Sequence, residues 1–112
     1  MKKIEALIRP HQLEDVKSVL CGRGLLHGMT STEVHGYTNG VSGRRVYRGL
    51  VQRIDLFPRI KLELVAHDDL VERVLEAIEA GAPAARDREI LVSEVAESVR
   101  IRTGEIDEAA LA

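Results

Sequence analysis

Near the amino terminus Ile4, Ala6 and Ile8 alternate with Lys3, Glu5, Leu7 and Arg9. Period two predicts a strand with one buried face, and Pro10 ends it. The spacing then lengthens. Leu13, Val16, Val19 and Leu20 recur at helical intervals, with Glu14, Asp15 and Lys17 between them and Gly22 and Gly24 at the stop. A β-branched run over residues 29–35, holding Thr32 and Val34, predicts a second strand. Residues 36–49 lose all periodicity. Gly36, Asn39, Gly40, Ser42, Gly43 and Gly49 predict a long polar loop there, and such loops in small domains are usually functional or disordered. Strands follow over residues 51–56 and 60–66, with Pro58 at a bend between them. In the second, Ile60, Leu62 and Leu64 alternate with Lys61, Glu63 and Val65. Asp68 and Asp69 are predicted helix caps, Asp69 and Glu72 having capping-box spacing. Val71, Val74, Leu75 and Ile78 form the buried stripe of a second helix. Residues 81–89 connect to a short strand over 90–92. Val95, Val99 and Ile101 suggest a last strand-like segment, followed by an acidic tail.

This order predicts an α+β chain, the ferredoxin-like βαββαβ sandwich, with both helices on one face of an antiparallel sheet. Residues 1–112 form one domain. The other sheet face has no helix to cover it and carries aliphatic residues, so a second copy of the chain is expected to meet it.

Composition sharpens this picture. At 112 residues there is chain for one core only. Aromatic residues are 3% against 45% hydrophobic, so the core must be aliphatic. The formal net charge of −2 gives no general attraction to nucleic acid. Base stacking on the sheet would need aromatics, but Tyr37, Tyr47 and Phe57 are the whole supply. No apolar run is long enough for membrane insertion, and Glu5 and Arg9 interrupt what a signal peptide would need, so a cytoplasmic location is expected.

Catalytic chemistry finds little support. Cys21, the single cysteine, lies near a helix end and beside no histidine. His11, His27, His35 and His67 show no helical metal-site spacing. Glu105, Asp107 and Glu108 belong to the tail. Cationic residues are more suggestive. Arg44, Arg45, Arg48, Arg53 and Arg59 face only Asp55 between residues 36 and 59, which suits anion sensing or partner docking. Arg100 and Arg102, two apart, would share a strand face and could grip phosphate.

Taken together, MKKIEALIRP, MTSTEVHGY, VYRG, DLFPRIKLELV and VRIRTGE resemble the PII signal-transduction family over nearly the whole chain, with about one residue inserted near residues 25–27. The resemblance implies a non-enzymatic homotrimer. It would bind an adenine nucleotide (ATP, ADP or AMP) between subunits and control a protein target, such as a transporter, enzyme or regulator, through a protruding T-loop. Carried over, Arg100 and Arg102 would hold phosphates. Thr30, Glu63 and Val65 would surround the adenine with Leu7 beside them, and Gly36 and Asp87 would complete the site. The T-loop region would span residues 36–58, the B-loop 81–89 and the C-terminal segment 100–112. Arg44, Arg45, Tyr47 and Arg48 would dock the partner.

The departures from the family pattern are specific. Its B-loop glycines and lysine cradle phosphates. Here that stretch reads APAARDRE: Asp87 is kept, Pro83 brings no N–H, and Glu89 stands in the lysine position. Arg86 and Arg88 are the candidates to compensate. Gly40 replaces the glutamine that helps hold Mg²⁺ and 2-oxoglutarate, Asn39 replaces the neighbouring arginine, and Gln52 replaces the tyrosine some members have uridylylated. These changes argue against Mg²⁺ and 2-oxoglutarate as ligands, and for a non-canonical nucleotide or another anion. Two alternatives share the fold: a metal-binding trimer similar to the CutA proteins, using His35 or His67, and an acylphosphatase-like enzyme, for which the segment after the first strand lacks the phosphate loop.

Overall fold

The computed structural model describes residues 1–39, 54–83 and 90–106. Strand β1 (Lys2–Ile8) leads through a 3-10 turn (Pro10–Gln12) into α1 (Leu13–Gly22). Strands β2 (Thr30–Asn39) and β3 (Ile54–Ala66) follow, then a second 3-10 turn (Asp68–Leu70), α2 (Val71–Gly81) and β4 (Ile90–Glu94). The sheet order is β2-β3-β1-β4, antiparallel throughout. This is the ferredoxin-like arrangement.

The alternation in β1 does what its period requires. Ile4, Ala6 and Ile8 are buried with Ile60, Leu62, Leu64 and Ala66 of β3. Helix α1 supplies Val16 and Leu20 to the same core, and α2 supplies Val71, Val74, Ala77 and Ile78. Every buried hydrophobic residue among those described is aliphatic.

Two local devices fix α1. At its approach the Arg9 amide donates to Gln12 Oε1 at 2.9 Å, and the Gln12 amide donates to the Arg9 carbonyl at 2.9 Å. At its end the Gly24 amide bonds the Cys21 carbonyl at 3.1 Å and the Leu25 amide bonds the Leu20 carbonyl at 2.9 Å. Gly24 has φ +69°, and the paired bonds form a Schellman cap. Leu25, carried past the cap, is buried. The helices then meet closely. A Cβ added at Gly81 would lie 2.6 Å from Val16 Cα, so glycine is what lets α2 approach the α1 backbone.

Four expectations are corrected. Strand β2 continues through Gly36 to Asn39, because these residues find partners at Phe57 to Ile54. Polar composition does not forbid pairing when a facing strand exists. Residues 54–66 form one strand, with no break at Pro58. The last β1 pairing is Ile8 with Ile60, so Pro58 stands where β3 has β2 alone beside it, and an open edge tolerates proline. Asp68 and Asp69 give no side-chain cap; Asp68 instead pairs with the terminal ammonium at 2.7 Å. Finally, Val95, Val99 and Ile101 make no strand. Val99 forms an isolated bridge with Ile106, and Ile101 is 99% exposed on a turn.

Candidate functional site

Strand register decides which of the expected site residues meet. With Ile4, Ala6 and Ile8 turned to the helices, Lys3, Glu5 and Leu7 face the other side. Glu63 pairs with both Glu5 and Thr30, Lys61 with Leu7 and Thr32, and Val65 with Lys3. Leu7, Thr30, Glu63 and Val65 therefore gather within neighbouring rows on the face turned away from α1 and α2. Gly36 is on this face too, further along β2, opposite Phe57.

Glu5 and Glu63 sit directly opposite, a pairing of like charges that would repel if left alone. Two lysines bridge them. Lys3 Nζ is 3.0 Å from Glu5 and 3.0 Å from Glu63, and Lys61 Nζ is 3.6 Å and 3.9 Å from the same two. The Lys3 hydrogen bond lowers the Glu5 pKa below its ordinary value, helped by the nearby Lys61 charge. Hydrogen bonds to Glu63 and then Glu5 raise Lys3. This ionic square borders a shallow cavity of about 310 Å³ lined by Glu5, Ala6, Leu7, Val34, Lys61 and Leu91. Leu91 is exposed, so the face offers apolar surface beside fixed charge.

Two further hollows lie mostly on the helix side of the sheet. One of about 250 Å³ includes Val65 with Leu25, His27, His67 and Val74. Tertiary folding thus brings His27 and His67 to one cavity, although they are far apart in sequence. The other, about 160 Å³, lies among Pro10, Glu33, His35, Pro58 and Arg59. Above Gly36 lies the Phe57 ring, and a Cβ there would run into it. The Arg59 guanidinium stacks 4.1 Å from the ring centroid and donates to the Pro58 carbonyl at 2.9 Å.

Arg100 and Arg102 do not share a strand face. They lie on a turn beyond β4. The Arg100 amide donates to the Glu105 carbonyl, and the Gly104 amide to the Arg100 carbonyl, both at 2.7 Å. Gly104 takes φ +76°, which closes the turn. The Thr103 hydroxyl donates to Glu105 Oε1 at 2.7 Å, and Arg100 Nε lies 3.5 Å from the same oxygen. Arg102 is exposed and pairs with no carboxylate among the described residues.

Arg44, Arg45, Tyr47, Arg48, Arg86, Asp87 and Arg88 lie outside the described residues, as do Gly40 and Gln52. Sequence reasoning missed Lys3, Lys61 and Glu105. Opposite charges at alternate positions of two strands were the available signal for the lysines; Glu105 had none, because its role depends on the turn. Cys21 is exposed in the last turn of α1. Among the described residues no three His, Cys, Asp or Glu side chains could hold a metal ion together. No helix among those described is long and apolar enough to cross a membrane.

Residues 1–105 match the model of a family described as nitrogen regulatory protein P-II. Similar proteins include the nitrogen regulatory protein P-II of Bradyrhizobium diazoefficiens and that of Rhodospirillum rubrum. Each is 45% identical over 107 residues, covering 94% of this chain and 95% of the relative. Nitrogen regulatory protein P-II 1 of Escherichia coli K12 is 41% identical over 113 aligned positions, 99% of this chain and 100% of the relative.

Proposed function

The chain belongs to the nitrogen regulatory protein P-II family, whose members are trimeric, non-enzymatic signalling proteins, and we propose that it senses an adenine nucleotide between subunits. On this reading Leu7, Thr30, Gly36, Glu63 and Val65 receive the nucleoside on the open sheet face of one subunit. Arg100 and Arg102 hold the phosphates, and Asp87, Arg86 and Arg88 are their neighbours in the B-loop. Arg44, Arg45, Tyr47 and Arg48 present the state of the site to a protein target in the cytoplasm.

One observation carries the reading. Five residues drawn from three strands, separated by up to 58 positions in sequence, fall on the single sheet face that no helix among the described residues covers. That face combines apolar surface for a flat base with Glu63 and Thr30 as hydrogen-bonding groups. The two arginines supply the complementary charge.

Calorimetric titration tests it. ATP, ADP, AMP and cyclic AMP are titrated with and without Mg²⁺ and 2-oxoglutarate, on the protein and on Arg100→Ala. Saturable adenine-nucleotide binding that is lost in Arg100→Ala is expected, with no dependence on 2-oxoglutarate. Absence of binding by all four would sink the nucleotide reading. The substitutions at Gly40 and Asn39 support the expected indifference to Mg²⁺ and 2-oxoglutarate.

A further inference from the structure

We propose that Glu105 is a built-in competitor for the anion that Arg100 would hold. The proposal rests on the reading of Arg100 as a phosphate ligand and adds a residue that sets its strength. The terminal turn brings a carboxylate to the guanidinium by several independent contacts. Backbone bonds at 2.7 Å join Arg100 to both Glu105 and Gly104. The positive φ of Gly104 turns the chain back so that residue 105 comes level with residue 100. The Thr103 hydroxyl then fixes Glu105 Oε1 at 2.7 Å, and its oxygen also accepts the Glu105 amide at 3.3 Å. The result is Oε1 held 3.5 Å from Arg100 Nε.

A phosphate approaching that edge of Arg100 meets a carboxylate already there. Binding must displace it or accept its repulsion, whereas Arg102, exposed two residues away, has no such carboxylate among the described residues. Among the described residues the two arginines are therefore unequal: Arg102 faces no carboxylate, and the Nε edge of Arg100 answers an anion that outcompetes Glu105. A ligand with several phosphates gains more from this arrangement than one with a single phosphate, because it can engage Arg102 first.

The test compares the full-length protein with Glu105→Gln. The amide oxygen keeps an acceptor for Thr103 but removes the charge. Both are titrated with ATP and with inorganic tripolyphosphate, beside Arg100→Ala and the double variant. Partly exposed ion pairs are worth little, so Glu105→Gln should tighten binding by roughly 1.5- to 5-fold, and the gain should vanish in the Arg100→Ala background. Thr103→Val, which removes the hydroxyl tether, should move affinity in the same direction and serves if Glu105→Gln melts early. Unchanged or weaker binding in Glu105→Gln, with wild type still losing its ligand on Arg100→Ala, overturns the competitor role alone. No saturable binding by wild type, with Arg100→Ala indistinguishable from it, overturns the phosphate reading and the competitor with it.

Discussion

Replacing Gly81 by alanine would place a methyl group 2.6 Å from Val16 Cα, 2.8 Å from its amide nitrogen and 3.0 Å from Cγ2. Ordinary van der Waals contact begins near 3.4 Å. The helices must therefore part by about 0.8 Å at this point, and the obstacle is backbone, which no rotamer change can move aside. Val16 is fully buried, and Ile78 and Ala82 flank Gly81 in the same core, so the movement opens packing as well. Overpacking of this kind costs about 1–3 kcal/mol. Alanine returns up to about 1 kcal/mol of helix preference over glycine, less at a helix end. A net loss of about 1–2 kcal/mol remains, roughly 4–16 °C in Tm for a domain of this size. Gly22 is the control: it ends α1, and a Cβ there meets nothing within 4 Å. Gly22→Ala should leave Tm unchanged or raise it slightly. Both variants are melted by circular dichroism at one fixed protein concentration, since dissociation of an oligomer makes Tm depend on it. If Gly81→Ala is as stable as Gly22→Ala, the close approach of the helices does not constrain the fold and the reasoning fails.

Three further outcomes are expected. Leu62→Ala, at a site with no exposure, should cost about 2–5 kcal/mol by urea unfolding, while Ile101→Ala at 99% exposure should stay within about 0.5 kcal/mol; equal effects would contradict the assigned core. Gly36→Ala should cost less than Gly81→Ala, about 1 kcal/mol or below, because the obstacle is the far end of the half-buried Phe57 ring, which can turn aside, and Phe57→Leu added to it should restore part of the loss; simple additivity would show that the ring is not the obstacle. The folded Glu5 carboxyl titrates below its ordinary value of 4.5, so its contribution is complete above that value and is lost as pH falls through the depressed one. Lys3 is raised above 10.5, so its contribution holds below that value and is lost as pH rises through the elevated one. Glu5→Gln should flatten the acid side of the Tm profile and weaken its dependence on salt, and an unaltered profile would count against the ionic square.

The elements whose identity rests on local periodicity were legible in the sequence. Ile4, Ala6 and Ile8 announce β1 because a buried sheet face demands every second residue, and Val16 and Leu20 announce α1 for the corresponding helical reason. Elements whose identity depends on a distant partner were not. Gly36 to Asn39 read as loop because nothing local shows that residues 54–57 lie opposite, and Pro58 read as a break because its open edge is visible only once β1 is known to stop at Ile8. The candidate site residues divide the same way. Leu7, Glu63 and Val65 could be placed on one face from alternation alone, and Thr30 joins them through register. The turn at Arg100 could not be anticipated. It hangs on the backbone of Gly104 and on a hydroxyl–carboxylate bond, and two arginines spaced two apart look equally suited to a strand.

Beyond the row where Ile8 pairs with Ile60, β2 and β3 continue without β1 for six more pairings, from Val34 opposite Arg59 to Asn39 opposite Ile54. At about 3.3 Å per residue this ribbon reaches roughly 20 Å past the last three-stranded row. It is a lever with its fulcrum at Ile60. A tilt of about 10° at that row would carry the far end through about 3.5 Å over that length, a displacement too small at the row itself to disturb a packed core. A lever transmits only as well as it resists bending, and a bare two-stranded ribbon resists poorly. The Phe57 ring over Gly36, stacked by Arg59, braces the two strands midway along the arm, three rows past Ile60.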